Sequence, residues 1–312
     1  PPEEWSETRN IKWKIPLPGQ GHSSPIVWED RIYLTAAIPH GEPMEPPVGV
    51  RPGAHDNILK VRKTKFVVIA INRANGKTIW QKTVRFSVPH ESRHDTGSYA
   101  SASPVTDGER IYAFFGSNGL FALDRDGEIV WEKDLGDMHS KHGHGEGASP
   151  ALFGDTLVVN WDHEGPSFVA AFDKRTGDER WRKERDEPTS WSSPHVVVHE
   201  GKPQVVISAA NRIRSYDLAS GKLYPVLLEA EDENGTLRMR AEFWYGDEVL
   251  IEVIESDGLG KAAAGFSWEA DSYDDDDNGQ NVYEGTIIGN QFMQEVSHFE
   301  MEIRVLEAYE DD

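Results

Sequence analysis

Short apolar segments that end in a polar turn recur through the first two thirds of the chain. Each is followed by Gly within four residues of its final Asn or Asp, and they occupy residues 68–72, 120–124, 169–173 and 213–217. In the first three copies a Trp comes four positions after that Gly, as Trp80, Trp131 and Trp181. The spacing is about 50 residues and no amphipathic helical period intervenes, which predicts a repeated β-sheet unit.

A second unit, Ser-Pro followed by an apolar run, lies upstream of each copy. It occurs at Ser24-Pro25, Ser103-Pro104, Ser149-Pro150 and Ser193-Pro194. Each repeat therefore contains about four short strands, which is the content of a four-stranded antiparallel blade. One blade cannot bury both of its faces, so blades are expected to stack on their neighbours around an axis. The three Trp side chains are predicted to fill the spaces between blades.

This order of units resembles the PQQ-like, or quinoprotein-like, β-propeller repeat over residues 10–222. The resemblance implies an all-β propeller with four recognisable blades and an incomplete ring, which is open, truncated, or completed by unrelated chain. Residues 10–15 resemble the outer strand of a further blade. The family contains quinoprotein dehydrogenases and also non-catalytic scaffolds. It implies a periplasmic or extracellular location, and removal of a signal peptide fits a chain that begins at Pro1.

Charge divides the chain into two predicted domains. Residues 1–222, the PQQ-like blades, carry a net charge of −2, whereas residues 223–312 have 24 acidic and four basic residues, a net charge of −20. Alternation of apolar and polar residues at 237–243 and 299–305 predicts that the second domain is an acidic antiparallel β domain. Residues 283–290 have a short resemblance to lipocalin-like domains. The negative charge argues against nucleic acid as a partner, and no apolar run is long enough for a transmembrane segment.

Polar residues just before the Ser-Pro units are expected to rim the central channel of a propeller. The candidate ligand-binding residues are His22, Tyr99, Ser101, Glu146 and Trp191. Alternatively, these groups form hydrogen bonds that hold loops at the channel mouth.

A metal site is predicted from histidine spacing. His142, His144 and Glu146 alternate and would share one face of an extended segment. Asp162 and His163 follow on the next strand and would complete a site for zinc or a similar divalent ion. The alternative is again that these polar side chains fix loops.

A calcium loop is predicted in the acidic domain. Asp274, Asp276 and Asn278 match the start of an Asp-x-Asp-x-Asn-Gly loop, although the bidentate Glu expected later is displaced to Glu284. The alternative is an acidic hairpin tip. Residues 43–53 contain four Pro and are interpreted as an insertion that lengthens the first blade.

These patterns favour a non-catalytic β-propeller scaffold whose partner is a protein or another extracellular ligand. The chain has no Cys, so the vicinal disulfide of many quinoprotein dehydrogenases is impossible, and no base motif of that family matches. PQQ is therefore not assigned as a cofactor, and a divalent zinc or calcium ion is the candidate ligand. The alternative function is a quinone- or metal-dependent oxidoreductase with its site at the channel mouth.

Overall fold

The computed structural model describes residues 6, 9–49, 52–199 and 201–224, and the backbone of six strands between residues 226 and 305. The chain forms two compact units, Pro1–Pro194 and His195–Asp312. The domain boundary predicted between residues 222 and 223 stays a prediction. Within the described residues there is no α-helix, and hence none with the length and hydropathy needed to cross a membrane.

The first unit consists of three four-stranded antiparallel sheets in which the strands lie in chain order. The first sheet contains β1 (Ile26–Trp28), β2 (Arg31–Met44), β3 (Val61–Asn72) and β4 (Thr78–Ser87). The second contains β5 (Val105–Thr106), β6 (Arg110–Phe114), β7 (Leu120–Asp124) and β8 (Ile129–Lys133). The third contains β9 (Ala151–Phe153), β10 (Thr156–Trp161), β11 (Ser167–Asp173) and β12 (Glu179–Arg185). The predicted all-β fold with propeller blades is confirmed.

The second unit contains a fourth sheet of the same topology and a larger sheet. The fourth sheet has β13 (His195–His199), β14 (Lys202–Ser208), β15 (Ile213–Asp217) and β16 (Leu223–Tyr224). The acidic segment contributes β17 (Val226–Asp232), β18 (Gly235–Phe243), β19 (Val249–Glu255), β20 (Asp271–Asp274), β21 (Asn281–Glu284) and β22 (Glu300–Val305). These six strands are ordered β20-β21-β19-β18-β17-β22, so they form an antiparallel sheet that differs from a blade.

Both faces of the middle blade are buried. On β6, Ile111 and Ala113 pack in a core with the first sheet, whereas Tyr112 and Phe114 pack in a core with the third. Successive strand residues point to opposite faces, so a sheet between two others needs apolar residues at consecutive positions. This explains why the central strands are continuous apolar runs rather than alternating ones.

In the first unit, a Trp side chain that packs on a glycine joins each sheet to the next. A Cβ atom at Gly127 would lie 2.8 Å from the Trp80 ring, and one at Gly177 would lie 2.8 Å from the Trp131 ring. Both glycines have positive φ, at 85° and 76°. The indole N–H groups donate to turn carbonyls of the same neighbouring blade, Trp80 to Arg125 at 2.8 Å and Trp131 to Lys174 at 3.0 Å.

Trp13 makes the same contact at the start of the chain. Its ring covers Gly76, and its indole N–H donates to the carbonyl of Arg73 at 3.0 Å. Residues 11–17 are not a strand in the structure, so this Trp takes the place of an outer-strand Trp without a sheet behind it. Trp131 and Trp181 are buried and Trp80 is partly buried.

The Ser-Pro units are linked by hydrogen bonds from blade to blade. The backbone N–H of Ser24 donates to Oγ of Ser103 at 2.8 Å, that of Ser103 to Ser149 at 2.9 Å, and that of Ser149 to Ser193 at 2.8 Å. Because Pro restricts the residue before it to extended conformations, each Ser has little choice of backbone direction. The repeated dipeptide thus forms a row of hydrogen bonds between the residues that precede successive inner strands.

Replacing Gly177 with Ala is expected to destabilise the protein by opening the contact with Trp131. The matched control is Gly201→Ala, because Gly201 has a φ of 78° against 76° for Gly177 but no atom within 4 Å of its Cβ position. Both variants incur the left-handed backbone penalty, and only Gly177→Ala adds overpacking, about 1–3 kcal/mol more. Urea denaturation measures the difference, and equal losses in the two variants would contradict the contact.

Removal of the Trp131 side chain is expected to lower the free energy of unfolding by about 3–5 kcal/mol, because it leaves a cavity between the second and third sheets. Trp131→Phe keeps much of the volume and loses the bond to Lys174, so it should cost clearly less. Both are measured by chemical denaturation. A Trp131→Ala loss of no more than about 1 kcal/mol would contradict a core position.

Candidate functional site

The predicted rim residues His22, Tyr99 and Ser101 are bonded to the protein's own backbone. His22 is exposed, and its backbone N–H donates to the carbonyl of Ala100 at 3.0 Å. The Tyr99 hydroxyl donates to the carbonyl of Glu91 at 3.0 Å, and burial raises the pKa of Tyr99. Ser101 Oγ donates to the carbonyl of Ser98 at 2.9 Å. The bonds of the Tyr99 and Ser101 hydroxyls match the alternative in which polar groups hold loops, and ligand binding at the rim stays a prediction.

Glu146 has a buried carboxyl group held by the turn between β6 and β7. The backbone N–H of Ser117 donates to Oε2 at 2.7 Å, and its hydroxyl donates to Oε1 at 2.5 Å. The same hydroxyl accepts the N–H of Met138 at 2.7 Å. Burial raises the pKa of Glu146 to about 7, against the pull of the two Ser117 bonds. A Cβ at Gly116 would overlap Oε2, so Gly is needed there for the carboxyl group to enter.

Asp162 is neutralised by a buried arginine. Arg185 donates from Nε to Oδ1 at 2.7 Å and from Nη2 to Oδ2 at 3.1 Å, and both side chains are buried. Ser190 Oγ and Asn160 Nδ2 also donate to Oδ2 of Asp162. A carboxylate with this many donors and a paired charge has no oxygen directed at a metal.

Both ring nitrogens of His163 are already used. Nδ1 accepts the backbone N–H of His139 at 3.0 Å, and Nε2 donates to the carbonyl of Pro166 at 3.1 Å. Burial lowers the pKa of His163, which agrees with a neutral ring in this arrangement.

The structure therefore does not bring the predicted metal set together. Glu146, Asp162 and His163 each have separate partners, and only His142 and His144 meet. The extended segment assumed in the prediction is absent, because residues 141–143 form a 3₁₀ turn in which His142 has a φ of 57°.

Four histidines meet instead at one end of the first two sheets. We call His55, His94, His142 and His144 the histidine cluster. Ring centroids are 4.7 Å apart for His55 and His144, 5.1 Å for His94 and His144, and 5.4 Å for His142 and His144. His55 lies 6.0 Å from His142 and 6.2 Å from His94.

Three loops position the cluster, and the side chain of Asn57 in the first of them bonds to both of the others, to Ser92 Oγ at 3.0 Å in the second. Its side-chain amide donates to the carbonyls of His142 at 3.1 Å and Gly143 at 2.7 Å. The backbone N–H of His94 donates to the carbonyl of His144 at 3.1 Å, which joins the other pair of loops. In a four-stranded meander the second-to-third connection and the exit of the last strand lie at the same end. The β2–β3, β4–β5 and β8–β9 connections therefore meet there.

The His144 ring is held in one orientation. It has a hydrogen bond to the backbone of His55, and its Nε2 atom is buried without a hydrogen-bond partner. Burial lowers the pKa of His144, and the neighbouring rings of His55, His94 and His142 add to the effect. The imidazole is therefore favoured in its neutral form.

A second group of potential metal ligands contains His90, Glu91 and His139, whose ligand atoms lie within 4.8 Å of one another. Glu91 is buried and accepts two bonds from Ser140, from N–H at 3.0 Å and from Oγ at 2.6 Å. His90 Nε2 is 2.6 Å from the carbonyl of Met138. The contacts of Glu91 and His90 hold the loop at residues 138–140, and Nδ1 of His139 is buried without a hydrogen-bond partner.

Sequence reasoning missed His55 and His94. His55 follows the Pro-rich insertion at 43–53, and His94 lies in the long β4–β5 connection at 88–104. Both lie far along the chain from His142 and His144, so no local spacing could join them. The feature of the sequence that could have indicated them is the unusual length of both connections in a repeat that otherwise has short turns.

Trp191 is exposed beside the histidine cluster. The residue is 42 % exposed, and its backbone has a φ of 51°. The indole N–H donates to the carbonyl of Gly145 at 2.7 Å, and the ring is stacked on His144 with centroids 6.5 Å apart. The ring is thus fixed at the surface.

The predicted calcium loop falls largely outside the described residues. Asp274 is the last residue of β20, and Asp276 and Asn278 are not described. The calcium site stays a prediction.

The stability of the protein is expected to depend on ionisation of Glu146. Its pKa of about 7 in the folded state exceeds the ordinary 4.5, so the folded protein binds this proton more tightly than the unfolded chain. The stability that Glu146 contributes is complete below pH 4.5 and is lost as the pH rises through about 7, by about 3 kcal/mol. Glu146→Gln, which mimics the protonated side chain, should escape this loss.

Urea denaturation between pH 5 and 8 measures the two curves. Glu109→Gln, which removes an exposed carboxylate, is the control and should follow the wild type. Parallel curves for wild type and Glu146→Gln would contradict the raised pKa.

Comparison with known proteins gives one family match and several distant structural neighbours. A family model described as outer membrane protein assembly factor BamB matches residues 64–243. No curated protein matches the chain. Among solved structures, a quinohemoprotein alcohol dehydrogenase, ADHIIG from Pseudomonas putida HK5, is 13 % identical with a TM-score of 0.42, over 74 % of this chain and 40 % of that one. BamB from Moraxella catarrhalis is 12 % identical with a TM-score of 0.39, over 77 % and 72 %.

The chain spans less than half the length of the dehydrogenase. The family match begins later than the resemblance predicted from residue 10, and it extends past the predicted boundary to residue 243. Because it covers more than half of the chain and includes most of the repeated blades, the chain belongs to the PQQ-like repeat family of the outer membrane protein assembly factor BamB.

Proposed function

We propose that this protein is a non-catalytic propeller scaffold of the periplasm or cell exterior that binds a protein partner through the surface around Trp191. The observation that carries the proposal is the conformation of Trp191. A large aromatic residue that is 42 % exposed and has a φ of 51° is strained, at a cost of about 1–2 kcal/mol.

The strained backbone of Trp191 is accompanied by contacts that orient its indole ring. The bond to Gly145 and the stacking on His144 hold the indole in place before any partner arrives. Exposed Trp is over-represented among residues that dominate protein–protein affinity, and an ordered side chain loses little entropy on binding. The loop end of the blades thus offers a rigid aromatic anchor.

The polar groups nearby also support a scaffold. Glu146 and Asp162 are the carboxylates that a bound cation or a proton-transfer step would use. The carboxyl group of Glu146 already accepts hydrogen bonds from Ser117, and that of Asp162 already accepts hydrogen bonds from Arg185. Membership of the BamB family, whose name describes an assembly factor, favours a protein as the partner.

Trp191→Ala is expected to reduce capture of the partner at least tenfold, because the anchor is removed. The immobilised protein is exposed to a periplasmic or secreted extract of its source, and bound proteins are quantified by mass spectrometry. The matched control is Trp28→Ala. Trp28 is 40 % exposed but lies at the β1–β2 turn, at the opposite end of the first sheet. The same proteins captured equally by all three versions would contradict binding through Trp191.

The oxidoreductase alternative is separated by a direct assay. The protein is incubated with PQQ and calcium, and dye-linked oxidation of short-chain alcohols is followed together with quinone absorbance. The scaffold proposal expects no turnover above a control without protein. Turnover that depends on PQQ would overturn the non-catalytic assignment.

A further inference from the structure

We propose that the histidine cluster, His55, His94, His142 and His144, is a binding site for one divalent transition-metal ion, with zinc as the ion to test. The site differs from the set predicted from sequence spacing, because two of its four members come from the first blade and Glu146, Asp162 and His163 take no part. The proposal does not depend on partner binding through Trp191.

The distances from the His144 ring to the other three rings are close to those expected around a single ion. With zinc–nitrogen bonds of about 2.0–2.1 Å and tetrahedral angles, the centroids of two imidazoles on one ion lie about 5 Å apart. The cluster has five ring pairs between 4.7 and 6.2 Å. Ligand atoms of His55, Asp56 and His94 lie within 4.8 Å of one another, whereas those of His142 and His144 are not part of that group, so these two rings must turn to reach the same ion.

The rings are oriented by a second layer of acceptors, as in known histidine–metal sites. Nδ1 of His55 is 3.3 Å from Asp56 Oδ2. The His94 ring is held by Thr96 instead, whose Oγ1 is 2.7 Å from Nδ1 and whose backbone N–H donates to Nδ1 at 3.3 Å. Nδ1 of His142 is 3.3 Å from the carbonyl of Pro52. When Nδ1 donates to such an acceptor, Nε2 keeps its lone pair for a metal.

His144 supplies the most direct sign of a missing partner. Its Nε2 atom is buried and unpartnered, while the ring is surrounded by the other three histidines. A buried polar atom without a partner is uncommon, and an unfilled ligand position explains it.

The choice of a transition metal follows from the ligand type. Imidazole nitrogen suits zinc, copper and nickel, whereas calcium and magnesium prefer oxygen. The Asp56 carboxylate at His55 and that of Asp95, 3.3 Å from His94 Nδ1, would offset part of the charge of the ion. The hydrogen bonds between the three loops already order the backbone around the cluster, so metal binding has to order little of it.

The test is titration of zinc into the untagged protein at about pH 7.5, where imidazoles are neutral, followed by isothermal calorimetry and by thermal melting. One zinc per chain and a raised melting temperature are expected, because only the folded chain assembles the site. His55→Ala/His144→Ala is expected to weaken the affinity at least 100-fold. X-ray absorption of the zinc complex is expected to show histidine nitrogens at about 2.0 Å.

Two further variants keep the test decisive if the double variant is unstable. His142→Asn preserves a residue that tolerates positive φ and removes one ligand, so affinity should fall at least tenfold while the metal-free melting temperature is kept. His22→Ala removes an exposed histidine outside the cluster and should bind like the wild type. Absence of zinc binding at about 100 µM, or equal affinity in the wild type and His142→Asn, would overturn the proposal.

Discussion

The contact between an indole and a glycine of the next blade is the constraint on which the first unit depends. Trp80 and Trp131 each cover a glycine whose missing Cβ is the condition for the contact. Each indole N–H also satisfies a turn carbonyl that the ring would otherwise shield from water. The Gly-x-x-x-Trp unit of the second blade therefore contributes to two interfaces. Its Gly contacts the Trp of the preceding blade, and its own Trp contacts the Gly of the following blade.

Once the blades are held at this spacing, their connections are brought to a common end and can be elaborated. The regular turns opposite stay short, whereas the β2–β3 and β4–β5 connections of the first blade are long. Asn57 bonds to the loop of His142, and backbone bonds join His94 to His144. The loop end is thus an ordered surface, and both the histidine cluster and Trp191 inherit their geometry from it.

Buried acidic groups are treated in two different ways inside this framework. Asp162 has a full counter-charge in Arg185 and further donors around it. Glu146 has only the neutral donors of Ser117, and burial therefore raises its pKa to about 7. The difference makes Glu146 a source of pH dependence in stability, whereas the bonds of Asp162 fasten the third blade to its loop at Ser190.

The sequence by itself determined the blades. Gly-x-x-x-Trp and Ser-Pro act within one repeat or between neighbours, so their spacing predicts the four-stranded sheets and the buried Trp positions. It also indicated that the acidic segment is antiparallel β. Tertiary structure alone decided the site, because His55 and His94 reach His142 and His144 through contacts between loops of two blades. Spacing along an assumed extended strand grouped His144 with Glu146, but the turn at residues 141–143 and the bonds of Ser117 direct their side chains to different partners.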